Sequence, residues 1–242
     1  MTGAAIDYGD EARIGVIVPS GNVVAEAETH AMLPAGVRAL FTRLPLRSTA
    51  EAELLAMAAQ AEGAAALLAD ALPAVIAFHC TAATTFSDAI SRQVGAGLQA
   101  GSRGIASFQT GEAIVAALAA LGARRIVLLT PYPAEVNRRE AAYLENRGIE
   151  VLAENGLGIA TNTKMARLPP QAFIDQALRH RHPQAEAYFI SCTAIRSAGC
   201  IAPLEQALGR PVITSNQALV WQALQRCGAA GRVAGYGALL GG

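Results

Sequence analysis

Cysteine is scarce in this sequence, and the few that occur do not form a recognised pattern. Four cysteines among 242 residues are too sparse for the disulfide framework of a small secreted domain. No two of them are spaced as CxxC, the arrangement typical of zinc and redox sites. We therefore expect reduced thiols and neither kind of site.

An excess of charge of one sign and long hydrophobic runs are also lacking. The 19 basic residues balance the 19 acidic ones, and the longest basic block is the short stretch 179–182. Nucleic acid is therefore not an expected partner. No apolar run reaches the roughly 18 residues that a membrane-spanning helix needs, and residues 1–11 contain no basic region before an apolar run, unlike a signal peptide. We expect a cytoplasmic protein without a membrane partner.

The usual motifs of cofactor and metal sites are missing as well. Gly95, Gly97 and Gly101 have the spacing GxGxxxG and follow a helical pattern, whereas a dinucleotide-binding loop follows a strand. No P-loop, GxSxG or HExxH motif occurs. His180 and His182 stand at a charged helix end without further ligands nearby in sequence. The sequence predicts an activity without cofactor or metal.

What is present is ample apolar sequence, 52% of the chain, arranged in alternating short and long segments. Short aliphatic runs alternate with Ala- and Leu-rich segments of helical period, which predicts a mainly parallel sheet covered by helices. The predicted strands are 13–18, 37–43, 74–78, 104–108, 124–130, 148–154, 187–191 and 211–215. The predicted helices are 22–33, 50–71, 88–99, 110–121, 134–147, 170–180, 201–208 and 216–227.

The second half of the chain repeats the first. RIGVIVPSGN, which begins at Arg13, resembles RIVLLTPYPAEVN, which begins at Arg125, and the segment HCTA at Cys80 resembles SCTA at Cys192. The spacing between the two arginines equals the spacing between the two cysteines. A third pair, residues 104–122 and 210–228, follows in the same order. This period is far longer than that of a solenoid, and we infer a duplicated α/β lobe.

Two such lobes predict a pseudo-two-fold axis and a shared cleft. Open α/β sheets bind ligands at the carboxyl ends of their strands, so equivalent strand ends would meet there and Cys80 would face Cys192. We assign residues 1–12 to an N-terminal tail, 13–109 plus about 216–242 to the first lobe, and 110–215 to the second.

Cys80 and Cys192 are the candidate catalytic residues. Each ends a predicted buried strand and is followed by Thr-Ala, so backbone N–H groups become available at a turn that can bind an anion and lower a thiol pKa. Free cysteines are often plain buried core residues, but the repeat at symmetric positions favours function. Cys200 and Cys227 lack this context and are interpreted as structural.

Uncharged hydrogen-bonding residues cluster at the same strand ends and could hold a carboxylate without lysine or arginine. The alternative is ordinary turn and N-cap chemistry. Asn22 and Tyr132 stand at matching strand ends, which favours function for these two. His79 precedes Cys80, but adjacent strand residues point to opposite faces, so we assign His79 a packing role. The cluster comprises 19–22, Thr81, Thr84, Thr85, 131–132, Thr193 and 215–216.

The chain resembles the Asp/Glu racemase superfamily, which includes amino-acid and hydantoin racemases, maleate cis-trans isomerase and arylmalonate decarboxylase. The resemblance extends from about Arg13 to the C-terminal GYGALL. It rests on the IVPSGN opening, the two cysteines and the TPY segment, which together are most similar to the maleate isomerase branch.

The resemblance implies two lobes of four-stranded parallel sheet, a homo-oligomer and no cofactor. It also implies that Cys80 adds to a substrate double bond, that Cys192 handles the proton, and that Asn22, Tyr132 and Asn162 bind carboxylates. The chain has PSGNVV where many isomerases have PSSNT, and polar residues follow Cys80. Racemases of the superfamily often carry CNTA and GCTH, and the decarboxylase type keeps only the second cysteine.

We therefore predict a cofactor-independent isomerase of a small carboxylic or dicarboxylic acid, similar to maleate isomerase. The alternatives are a racemase, which would use the two thiols as opposed acid and base, and a decarboxylase. A small-acid binding module is the non-enzymatic alternative, although it would have no reason to place two thiols in its cleft. The predicted substrate-binding residues are Ser20, Asn22, Thr81, Ala82, Tyr132, Asn162, Thr193 and Ala194.

Overall fold

The strands of the chain form two parallel sheets of four strands each. The computed structural model describes residues 6–229, 231 and 233–241. The strand orders are β2-β1-β3-β4 and β6-β5-β7-β8, and every neighbouring pair is parallel. Each predicted strand is present, and the predicted α/β fold of two matching lobes is confirmed. The strands are β1 (Ala12–Pro19), β2 (Val37–Leu44), β3 (Val75–Phe78), β4 (Ala106–Gln109), β5 (Arg125–Thr130), β6 (Glu150–Gly156), β7 (Ala187–Ile190) and β8 (Val212–Thr214).

Helices cover both faces of the sheets. The helix predicted over 50–71 is divided into α2 and α3, because the backbone of Gln60 leaves helical geometry without a Pro or Gly to signal it. Three short helices, α4, α8 and α12, were not predicted, since a helix of about one turn shows no periodicity in sequence. The helices are α1 (Ala25–Met32), α2 (Glu51–Ala58), α3 (Ala61–Ala69), α4 (Thr81–Thr84), α5 (Asp88–Gly101), α6 (Thr110–Ala120), α7 (Ala134–Glu145), α8 (Asn162–Met165), α9 (Pro170–Arg179), α10 (Ile201–Leu208), α11 (Ser215–Arg226) and α12 (Gly237–Gly241).

Side chains on the two faces of each sheet enter different hydrophobic clusters. Along β3, Ile76 and Phe78 belong to one cluster, whereas Val75 and Ala77 belong to the other. This alternation follows from the two-residue period of a strand. Both clusters draw residues from both sheets, so the lobes share one continuous interior. Cys80 continues the Ile76 and Phe78 face and lies in the first cluster.

Helices α6 and α11 pack against each other where the two lobes meet. Each begins with a capping box, Gln109 with Glu112 and Thr214 with Gln217, in which side chains satisfy the first backbone N–H groups. Helix α11 also contacts α1 and β3 of the first half, whereas α12 contacts α10 and β8. The lobe boundaries assigned from sequence stay a prediction, and their residues 1–5, 230, 232 and 242 lie outside the described residues.

A helix that spans a membrane needs roughly 18 or more mainly apolar residues. Among the residues that the structure describes, no single helix is long and apolar enough to cross a membrane. Helices α2 and α3 meet that requirement only together, by length and composition, and are bent by 41° at their junction.

The glycines that superficially resemble a dinucleotide loop lie inside α5 and serve helix packing. A methyl group on Gly97 would lie 3.0 Å from the Ala61 side chain, and one on Gly101 would lie 2.1 Å from the Glu62 carbonyl oxygen. The missing side chains therefore let α5 approach α3 closely, which is one established use of glycine.

We predict that Gly101→Ala lowers the free energy of unfolding by about 1–3 kcal/mol, because the added methyl group overlaps backbone and forces the helices apart. Gly63→Ala is the matched control. Gly63 lies in α3 with open space around it, so alanine there should raise the free energy of unfolding by about 0.5–1 kcal/mol. Urea titrations of both variants measure this. A Gly101→Ala protein as stable as the parent would contradict the packing role.

Candidate active site

Cys80 and Cys192 lie in one buried cluster. Cys80 follows β3 and Cys192 follows β7, the equivalent strands of the two sheets. Each residue is 3% exposed, and both belong to the same hydrophobic cluster. The thiols are close enough for charge on Cys80 to raise the pKa of Cys192. The repeat in the sequence therefore brings the two predicted catalytic residues together.

Cys192 has an unusual backbone and several neighbours around its sulfur. Its φ of 126° lies in the region that side chains rarely adopt, and such strain is often found at functional sites. The Ala194 N–H donates to Sγ at 3.3 Å, and the sulfur of Met165 lies 3.7 Å from Sγ. The Tyr132 hydroxyl also lies close enough to this sulfur to lower the pKa of the thiol.

Burial dominates the acidity of both thiols. It raises the pKa of each to about 12, although the amides of Ala82 and Ala83 oppose this at Cys80, and Tyr132 and the Ala194 amide oppose it at Cys192. The turn amides lower the thiol pKa, as expected, but burial raises it by more, so the net shift at both cysteines is upward. The amide donors are where the Cys-Thr-Ala segments predicted them, but they do not offset desolvation.

Ser215 joins the loops that carry the two thiols. Its hydroxyl oxygen accepts from Thr81 Oγ1 at 2.9 Å and from the backbone N–H of Cys192 at 3.1 Å. Because both bonds use its oxygen, its own hydrogen is free to donate to another group. Ser215 was in the polar cluster noted from sequence but not among the predicted substrate-binding residues. Its position at the strand end equivalent to Thr110 was the available signal.

Asn22 and Thr193 connect the first strand end of one lobe to the Cys192 loop of the other. The Asn22 side-chain nitrogen donates to the Thr193 carbonyl and hydroxyl oxygens, both at 3.0 Å, and its oxygen accepts from Val24 and Ala25. Both amide hydrogens of Asn22 are thus engaged within the protein. The Thr193 hydroxyl accepts from Asn22, so its own hydrogen can donate to a carboxylate.

Ser20 and Asn162 both bond to Leu46, where the loops after β2 and β6 approach each other. Ser20 Oγ accepts from the Leu46 N–H at 3.2 Å, and Asn162 Nδ2 lies 3.4 Å from the Leu46 carbonyl oxygen. Ser20 is exposed and Asn162 is buried. Neither makes a hydrogen bond to a thiol in the described structure. Asn162 shares the single turn of α8 with Met165, which contacts Cys192.

His79 points away from Cys80, as strand alternation predicts, and enters a buried polar network. Its Nε2 lies 2.8 Å from Asn216 Oδ1 and its Nδ1 lies 3.0 Å from Thr110 Oγ1. The Asn216 nitrogen donates to Glu28 at 2.7 Å, so its oxygen must accept from His79 Nε2. Burial lowers the pKa of His79 to about 4, and the ring is therefore neutral.

Glu140 is a functional candidate that sequence reasoning missed. Its carboxyl group is 1% exposed and accepts from the hydroxyl of Ser191, the residue before Cys192, at 2.5 Å. Burial raises the pKa of Glu140 to about 8. The signal was available in the helical period of α7, where Asn137, Glu140 and Leu144 share the buried face.

A metal site would need several His, Cys, Asp or Glu side chains close together. Within residues 6–229, 231 and 233–241, no three His, Cys, Asp or Glu side chains form such a cluster. All four cysteines are free thiols. The absence of a cofactor stays a prediction.

Two matching parallel sheets with a thiol at each equivalent strand end define a two-lobed α/β protein with a paired-thiol site. A family model described as arylmalonate decarboxylase matches residues 14–240. The chain therefore belongs to the arylmalonate decarboxylase family.

Similar proteins extend over almost the whole chain. The maleate isomerase of Nocardia farcinica (strain IFM 10152) is 31% identical over 242 residues, which cover 94% of this chain and 95% of that protein. The crystal structure of a cysteine variant of the maleate isomerase Iso from Pseudomonas putida S16, with maleate, has a TM-score of 0.90 at 26% identity and covers 96% of this chain and 98% of its own.

A second solved structure bears on the chemistry of such sites. It is a cysteine-to-serine variant of the Nocardia farcinica maleate cis-trans isomerase with a covalently bound succinylcysteine intermediate. It has a TM-score of 0.84 at 27% identity and covers 95% of this chain and 98% of its own. Together these comparisons confirm the predicted superfamily branch and the predicted class of enzyme, an isomerase.

The buried His79 predicts a specific dependence of stability on pH. Its pKa is lowered in the folded state, so its contribution to stability is fully present above its ordinary pKa of 6.5 and is lost as the pH falls toward about 4. His79→Gln cannot titrate, and the difference in unfolding free energy between parent and variant should narrow over that interval. Urea titrations at pH 7.5, 6 and 4.5 measure it. A constant difference would show that His79 is protonated at the same pH in both states.

Proposed function

We propose that this chain isomerises maleate to fumarate, with Cys80 as the nucleophile and Cys192 as the proton donor and acceptor. The observation that carries the proposal is the juxtaposition of two thiols from equivalent strand ends in one buried cluster, beside a tyrosine that interacts with both. The similarity to maleate isomerases over nearly the whole chain supports the choice of substrate.

The reaction needs no atom from outside the two thiols and the substrate. The Cys80 thiolate adds to one alkene carbon, and Cys192 gives its proton to the neighbouring carbon. The carbon–carbon bond is then single and can rotate. Cys192 takes back a proton, the carbon–sulfur bond breaks, and fumarate leaves with the Cys80 thiolate restored. The succinylcysteine in the Nocardia farcinica variant is an adduct of this kind in a related protein.

The assignment of roles follows from the donors around each sulfur. Cys80 is approached by the amides of Ala82 and Ala83, which can stabilise a thiolate and then a neighbouring carboxylate. The Tyr132 hydroxyl lowers the pKa of Cys192, so it can stabilise this sulfur when the thiol loses its proton. Burial opposes both thiolates, and these donors counter part of that effect at the sulfur that each of them approaches.

Uncharged groups would bind the substrate carboxylates. Thr193 and Ser215 each accept bonds from the protein and keep a hydroxyl hydrogen to donate. Asn22 and Thr81 hold these two residues in place, which makes them supports for the binding groups in this arrangement. Asn162 is assigned to the far carboxylate because α8 places it beside the Cys192 region.

The proposal also includes a homo-oligomeric enzyme acting in the cytoplasm, with a small carboxylate as its ligand. The balanced charge of the chain is compatible with this environment. Leu55 and Leu67, large apolar side chains exposed on α2 and α3, are available for contact between copies.

The two cysteines should differ when each is replaced. Cys80→Ser should abolish turnover of maleate and form no adduct, because a serine hydroxyl is far less acidic than a thiol. Cys192→Ser should also lose turnover, but an adduct of substrate mass should accumulate at Cys80 because proton transfer is then slowed. Proton NMR of the alkene signals measures turnover, and intact mass spectrometry measures the adduct. Cys227→Ser, outside the cluster, is the control and should behave as the parent.

Two results would contradict this assignment. An adduct in Cys80→Ser but not in Cys192→Ser would reverse the roles. Loss of turnover in both variants without an adduct in either, together with solvent deuterium entering the α-carbon of a chiral acid, would indicate a racemase.

Tyr132→Phe tests the hydroxyl at the Cys192 sulfur. Removing one preorganised donor of this kind typically lowers kcat by about 10²–10³-fold, and we expect a loss of that order with a smaller change in KM. Tyr188→Phe is the matched control, since Tyr188 is also buried but its hydroxyl bonds to the His182 N–H away from the thiols. Steady-state kinetics on maleate compare the two. Equal effects of both substitutions would remove Tyr132 from the proposed site.

A further inference from the structure

The buried carboxyl group of Glu140 has no part in the reaction as proposed. One of its oxygens accepts from Ser191 Oγ, and the other is buried without a hydrogen-bond partner. Within the described part of the chain, no ion pair includes Glu140. A buried carboxylate without a cation is costly, so its place in the interior requires a reason.

The groups that face Glu140 explain its protonation. Burial is the main cause that raises the pKa of Glu140, the bond from Ser191 lowers it, and the charge of a second carboxyl group, Glu154 on β6, raises it further. Tyr132 and Cys192 are also near Glu140, and charge on Glu140 raises the pKa of both. With a pKa of about 8, Glu140 is mainly neutral at pH 7.

Glu140 reaches the candidate site through one residue. Ser191 directly follows β7, and its N–H donates to the Leu129 carbonyl of β5 at 2.8 Å. The next residue, Cys192, has the strained φ of 126°. Ser191, the residue immediately before the strained Cys192, is therefore held at its side chain by Glu140 and at its backbone by Leu129.

We propose that Glu140 is a positioning residue for Cys192: its buried carboxyl group holds Ser191, and through Ser191 it keeps the Cys192 thiol directed at Tyr132. This inference rests on the proposed role of Cys192. It assigns Glu140 no contact with substrate and no transfer of a proton to it.

A consequence concerns alkaline pH. When Glu140 ionises, its negative charge raises the pKa of Tyr132 and of Cys192 and opposes the thiolate that forms when Cys192 gives up its proton. Activity should therefore fall as the pH rises through about 8. Glu140→Gln keeps an oxygen that accepts from Ser191 and cannot ionise, so this loss should be absent in that variant.

The experiment compares Glu140→Gln with Glu140→Leu, which has no acceptor for Ser191. We expect Glu140→Gln to keep most of the kcat for maleate at pH 7, and Glu140→Leu to lose kcat by up to about 10²-fold with little change in KM, as expected for a displaced reactive group. The same preparations are treated with iodoacetamide between pH 6 and 10, and alkylation of Cys192 is followed by peptide mass spectrometry. At each pH, which stays below the thiol pKa of about 12, the alkylation rate in Glu140→Leu should differ from that of the parent because Cys192 has lost its fixed position.

The controls separate positioning from a general loss of stability. Glu135→Gln, at an exposed position of the same helix, should leave kcat and alkylation unchanged. Ser191→Ala should reproduce Glu140→Leu, and the double variant should lose no more than either single one, because both act through one bond. If Glu140→Leu fails to fold, Ser191→Ala and the pH profile of Glu140→Gln still test the proposal.

Three results would overturn it: unchanged kcat and Cys192 alkylation in Glu140→Leu or Ser191→Ala, additive losses in the double variant, or an alkaline loss of activity that persists in Glu140→Gln. A parent protein that does not isomerise maleate would instead refute the proposed function. The alkylation profiles of Cys192 test Glu140 in either case.

Discussion

The site depends on one constraint: two thiols share a buried cluster in which the groups that favour their ionisation are uncharged. Desolvation raises the pKa of both to about 12, and the donors that oppose it are backbone amides and the Tyr132 hydroxyl. An isolated thiolate would be unstable here. Chemistry at Cys80 and Cys192 therefore depends on donors that are already in place around the two sulfurs.

The interactions between the lobes serve this constraint. Ser215 bonds the Cys80 loop through Thr81 and the backbone of Cys192, and Asn22 bonds the Thr193 side chain from the other lobe. These contacts fix two loops whose thiols must stay close although they come from separate sheets. The strained backbone of Cys192 can persist because these bonds over-determine it.

Buried polar groups continue beneath the site. On one side, His79, Asn216 and Glu28 form a buried network that reaches Ser197, beyond the Cys192 loop. On the other side, Glu140 bonds Ser191. Burial raises the pKa of both glutamates and lowers that of His79, so in each case it favours the uncharged form. While these groups are uncharged, they contribute little to the electrostatic potential at the two thiols.

The sequence by itself determined the strands, the longer helical segments and the pairing of the thiols. Strand and helix periods are local properties, and the repeat carries the equivalence of Cys80 and Cys192 along the chain, so both could be read without coordinates. The tertiary structure alone decided what depends on burial and on contacts between distant segments. The upward shift of the thiol pKa, the Ser215 bridge and the carboxyl group of Glu140 beside Ser191 arise because folding removes water and brings together residues far apart in sequence. No local pattern records that proximity.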